Sequence, residues 1–200
     1  MPKLVWCGNQ PWDKAFPEAP IPAEKYAIKL PGSVFIRSIP YGAIPALCCL
    51  LIIFLKKRVL GWPNPSPVYV PIGVLLGLLL LPVHEMLHAC CFQRGQTVYI
   101  GISLEKFAAF AVCHEPISRK RYIVMSLAPV LLGLLPALLF LLFSQTSVSS
   151  ALLIPVMVMG FLSPMPDYRD VYQVLRQTPS QAMIQSQNSG LFWYIQTRSC

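Results

Sequence analysis

The residues of this chain best suited to chemistry are His84, Glu85 and His88, in the segment His84-Glu85-Met86-Leu87-His88 of an almost uncharged stretch. On a helix, side chains four residues apart share a face about one turn from each other, so both imidazoles can reach one metal ion. Glu85 is turned by about 100° from His84, which sets it beside the ion rather than on it. A carboxylate there can take the proton of a water that the metal polarises, which is the chemistry of H-E-x-x-H helices. Histidines at this spacing can also be capping or core groups satisfied by neighbours. In an apolar run that reading loses weight, because polar groups there are expensive unless partnered and are functional by default. Pro82, two residues before the pair, predicts a bend or a loosened turn.

Two imidazoles leave room for a further protein ligand and a water. The search for that ligand is short, since the chain has only eight Asp and Glu. Beyond Glu115 there are two, Asp167 and Asp170, both after Ser163-Pro164-Met165-Pro166. The prolines predict an interrupted helix whose unwound backbone turns one carboxylate toward the histidines. His114, the remaining histidine, is the third candidate, and a three-histidine site is chemically acceptable. Cys113 beside it makes no nucleophile-base pair, because neighbours on a strand point to opposite faces.

The elements that must position these groups are membrane spans. Hydrophobic residues make up 55% of the 200 and charged ones 12%, against about 25% charged in soluble domains. Four apolar runs stand out: Ile39–Leu55, Val68–Phe92, Tyr122–Phe143 and Ala151–Met165. A bilayer core needs about 20 helical residues, so the expected fold is an α-helical integral membrane protein with about four transmembrane helices. Thirteen of sixteen Lys and Arg lie in the N-terminal segment, the loop between spans two and three, and the tail; Lys56, Lys57 and Arg58 are the others. That bias predicts a multi-pass protein with both termini in the cytoplasm. The net charge of +8 suits loops held on an anionic leaflet, and no aromatic-interleaved basic stripe points to nucleic acid.

Between spans two and three Val98, Ile100, Ile102 and Leu104 alternate with Tyr99, Gly101, Ser103 and Glu105, and Phe107–Cys113 follows. This predicts a small β-hairpin between helices two and three. A short helix is expected over Val171–Gln177 and an aromatic strand over Leu191–Ile195. The domain reading is a polar, Pro-rich cytoplasmic segment (1–38) without a signal peptide, a membrane-embedded domain (39–177) and a cytoplasmic tail (178–200). The cysteines at 7, 48, 49, 90, 91, 113 and 200 form no disulfide framework.

The order of His84-Glu85-Met86-Leu87-His88-Ala89, Arg94-Gly95 and a strand, Ala128-Pro129, and Ser163-Pro164-Met165-Pro166 before Asp170 resembles the site-2-protease family of intramembrane zinc peptidases. It is closest to the compact prokaryotic zincin-peptidase branch, over roughly residues 68–177. The resemblance implies one zinc ion held by His84, His88 and Asp170, the last followed by Val171-Tyr172-Gln173. Ser163 and Val171 stand where better-known members carry Asn and Gly. It also implies a hairpin whose edge strand takes an unwound substrate. The expected function is hydrolysis of a peptide bond in a membrane-protein or membrane-associated peptide substrate, with Glu85 as general base, in a prokaryotic cell membrane. The alternative is a catalytically silent zinc-binding membrane protein with a structural or sensing role.

Overall fold

The computed structural model describes residues 1–30, 34–59, 61, 64–106, 108–143 and 146–196, with the side chains of 34 and 35 excepted. In chain order the elements are β1 (Lys3–Asn9), β2 (Tyr26–Ala27), α1 (Val34–Ser38), α2 (Ala43–Val59), α3 (Val70–Leu79), α4 (Leu81–Cys90), β3 (Thr97–Ser103) and β4 (Ala108–Val112). They continue with β5 (Ile117–Ser118), α5 (Arg119–Leu127), α6 (Leu131–Phe143), α7 (Ser147–Leu162), α8 (Met165–Gln177), β6 (Met183–Gln187) and β7 (Gly190–Tyr194). By their packing they form two groups. One joins Met1–Gly32, Glu85–Ala128 and Arg169–Cys200; the other joins Ser33–His84 and Pro129–Tyr168.

The second group is helical. Its buried centre is Cys49, Ala137 and Met157, with α7 packed against α2, α3 and α6. Small residues allow this, as they do wherever helices must approach without a hydrophobic driving force. A Cβ on Gly73 of α3 would lie 2.5 Å from the Ala151 carbonyl oxygen of α7, and one on Gly77 would lie 2.8 Å from Cγ of Met159. At the end of α2 the buried ammonium of Lys56 donates to the carbonyls of Phe140 and Leu141, whose place in the last turn of α6 leaves them short of helical donors.

Four stretches are long and apolar enough to cross a membrane: Ile36–Val59, Val70–Cys90, Arg119–Phe143 and Ser147–Gln177. They match the four apolar runs and extend most of them. Only 17–33% of each span's most apolar window is buried, so Leu47, Leu50, Leu79, Leu135 and Leu142 present their side chains outward. The second span bends at Leu80, where α3 stops and α4 begins with Pro82 in its first turn. Pro82 has no N–H, and the first turn is where that loss matters least. The fourth span departs from expectation. The Pro164–Pro166 segment does not unwind: a turn at Ser163-Pro164 is followed at once by α8, and Pro166 is its second residue. The helix predicted over Val171–Gln177 is the second half of α8.

The other group holds two sheets around a core that includes Phe92, Val98, Ile100, Ile117, Val174, Ile184 and Leu191. The predicted hairpin is β3 and β4, antiparallel with Ile100 opposite Ala111. Phe107, its expected first residue, lies outside the described residues. The N-terminal residues contribute a strand to this sheet: β1 pairs in parallel with β3 and covers its second edge. Gly101 permits this approach, since a Cβ there would meet the Gly8 carbonyl oxygen at 2.7 Å. The second sheet has the order β2-β7-β6-β5, and β7 covers the expected aromatic strand from Leu191 to Tyr194, without Ile195. Of the tail (178–200), residues 197–200 lie outside the described residues. The six described cysteines are free thiols, and Cys200 lies outside them.

Candidate metal centre

Both histidines stand on α4, His84 in its first turn and His88 in its last. They are 6% and 9% exposed, so each ring needs partners. Nδ1 of His88 lies 2.9 Å from the carbonyl oxygen of Met125, which can only accept, so that nitrogen carries the proton. The Met125 carbonyl accepts the N–H of Ala128 in the tightened last turn of α5 and keeps its second lone pair for His88, because Pro129 has no N–H to take it. The Ala128-Pro129 pair thereby orients His88. With Nδ1 protonated, a neutral imidazole keeps its lone pair on Nε2, the form a metal requires. Nδ1 of His84 lies 3.3 Å from the Ser163 hydroxyl, which follows the last turn of α7.

Nε2 of His84 faces Oδ2 of Asp167 at 3.3 Å. Asp167 is held there by its place in the first turn of α8, where the helix N-terminus favours a carboxylate. His84, His88 and Asp167 each offer one ligand atom, and these atoms all lie within 4.8 Å of one another. Among the described residues this is the one such group of His, Cys, Asp and Glu. Its donor set suits zinc. Two ligands of a tetrahedral ion with bonds of about 2.0–2.1 Å stand roughly 3.3 Å apart, the distance between His84 and Asp167. Two imidazoles and one carboxylate also match three-ligand sites that keep a position open for water. Glu85 follows His84 on α4, is partly buried and is no member of the group.

Asp170 and His114 are not members of this group. Asp170, three residues after Asp167 on α8, receives Nε and Nη2 of Arg169 on Oδ1 at 2.8 and 2.7 Å. His114 follows β4 on the sheet side, with Nδ1 3.9 Å from a Glu18 oxygen and its carbonyl accepting from Gln185. Burial lowers its pKa, and Glu18 partly opposes this. The neighbouring Cys113 thiol is pushed up to about 11 by burial, which makes it inert at neutral pH. Sequence reading did not foresee Ser163 and the Met125 carbonyl as partners of the histidine rings. The signal for the second was present in Pro129.

Residues 77–183 match the family described as "Putative zincin peptidase", more than half of the 200-residue chain. The chain belongs to this family. The match begins in the last turns of α3 and ends at the start of β6, so α4 and α8 both lie within it. Neither a curated protein nor a solved structure matches the chain. The zincins are zinc-dependent peptidases, and the group on α4 and α8 gives this member a donor set of that kind.

Proposed function

We propose that the protein is an intramembrane zinc metallopeptidase of the site-2-protease type, with one zinc ion held by His84, His88 and Asp167. The observation that carries this reading is the convergence of three ligand atoms on helices apolar enough to cross a membrane. The resemblance of the sequence favours Asp170 as the carboxylate ligand; the geometry favours Asp167, because Asp170 is engaged by Arg169.

A bound zinc ion would polarise the scissile carbonyl and acidify a water. The protein's own groups do the rest. Met125 and Ser163 fix the two imidazole rings, so that no reorientation is needed during reaction. Glu85, beside the ligand face of α4, takes a proton from the attacking water and returns it to the leaving amine. Burial of both histidines keeps bulk water from competing for the site.

The substrate in this reading is a membrane-protein or membrane-associated segment. A helical segment must first unwind, because its carbonyls are already hydrogen-bonded. The three carboxylates and two imidazoles of α4 and α8 would be costly in hydrocarbon without such a role. Both termini are assigned to the cytoplasmic side of a prokaryotic cell membrane. The structure supports that orientation in one respect: Lys56 is spent on the α6 carbonyls, leaving Lys57 and Arg58 as the contrary basic pair.

A second reading, a catalytically silent zinc protein, is favoured by Ser163 and Val171 at positions that are Asn and Gly in better-known proteases. Glu85→Gln separates the two. On the peptidase reading it keeps zinc and lowers cleavage of a membrane-embedded reporter by about 10²- to 10⁴-fold, the usual share of a general base. Full cleavage by Glu85→Gln would overturn it.

A further inference from the structure

Arg169 is the largest fully buried side chain among the described residues, 2% exposed. A guanidinium stays charged at any accessible pH, and burying it is tolerated only with a charge partner. Its partner is Asp170, which receives two of its nitrogens on one oxygen. Asp170 is also three residues from Asp167 on α8, and side chains at that spacing are surface neighbours. A divalent ion bound by Asp167 would therefore have a second carboxylate at hand.

A second carboxylate would change the site. It would raise the ion to five ligands, the water included, and offset more of its charge, leaving less of it to polarise a carbonyl. In the structure Asp170 is instead turned to Arg169. We infer that Arg169 is a positioning residue that holds Asp170 off the metal and so keeps the site at three protein ligands with one position open. The inference rests on the zinc reading above and assigns Arg169 no contact with substrate.

The test is the visible spectrum of the full-length protein, purified in detergent micelles and loaded with Co²⁺. Four-coordinate cobalt absorbs intensely and five-coordinate cobalt weakly. The parent protein should give the intense spectrum. Arg169→Gln should lose most of that intensity as Asp170 joins the ion, and Arg169→Gln/Asp170→Asn should recover it. Arg169→Lys, a point charge without the two-pronged grip, should fall between and serves if Arg169→Gln does not fold. A parent-like spectrum in the single variants, or no recovery in the double variant, would overturn the role of Arg169 while leaving the metal site intact. A parent protein that takes up no cobalt would overturn both.

Discussion

Nε2 of His84 and Oδ2 of Asp167 stand 3.3 Å apart, one on the helix after the Leu80 bend and the other on the helix after the Ser163-Pro164 turn. Each residue occupies the first turn of its helix. The two breaks thus fix the same thing: a polar side chain at the start of a helix inside an apolar span.

Metal content should follow this pairing. His84→Ala, His88→Ala and Asp167→Ala should each purify without zinc, while Glu85→Gln and Asp170→Asn retain it. Elemental analysis of the five proteins checks this. Zinc lost from Asp170→Asn and kept in Asp167→Ala would reverse the ligand assignment.

Pro129 should matter to zinc without touching it. Pro129→Ala supplies a helical N–H to the Met125 carbonyl and so competes with Nδ1 of His88. Loss of such a supporting partner weakens metal binding by about 10- to 100-fold. Competition against a chelator of known affinity measures it, and an unchanged affinity would mean that the carbonyl does not orient the ring.

The glycines of α3 should differ in their tolerance. Gly73→Ala drives a methyl against the Ala151 carbonyl, part of a backbone that cannot yield, and should destabilise by about 1–3 kcal/mol. Gly77→Ala meets the base of the Met159 side chain, at 2.8 and 3.0 Å, and backbone only at 3.6 Å, and a gain in helix propensity of about 1 kcal/mol offsets part of the crowding. Thermal unfolding in detergent should therefore rank Gly73→Ala well below Gly77→Ala.

His114 should make stability pH-dependent. Its folded pKa lies below the unfolded value of 6.5, so the unfolded chain binds the proton more readily. The stability this gives is complete above pH 6.5 and declines as the pH falls through the folded pKa. His114→Gln should flatten this part of the profile, and an equal slope in parent and variant would exclude the residue as its source.

Much of this protein was legible in its residues. The four apolar runs, the alternation that makes β3 and β4, and the spacing of His84, Glu85 and His88 are local patterns, and local patterns dictate helices and strands. The N-terminal strand was not legible, because Leu4-Val5-Trp6-Cys7 becomes a strand only when the edge of β3 is there to pair with. The third member of the metal group could be narrowed to Asp167, Asp170 and His114, since acids and histidines are so few. Tertiary structure sets Asp167 against His84. Two prolines were expected to unwind the chain, but in a first turn proline costs little, so α8 resumes at once and presents Asp167 to His84. Arg169, buried on the same helix, engages Asp170. Composition alone could narrow the acids to two, but only packing set Asp167 against His84 and Asp170 against Arg169.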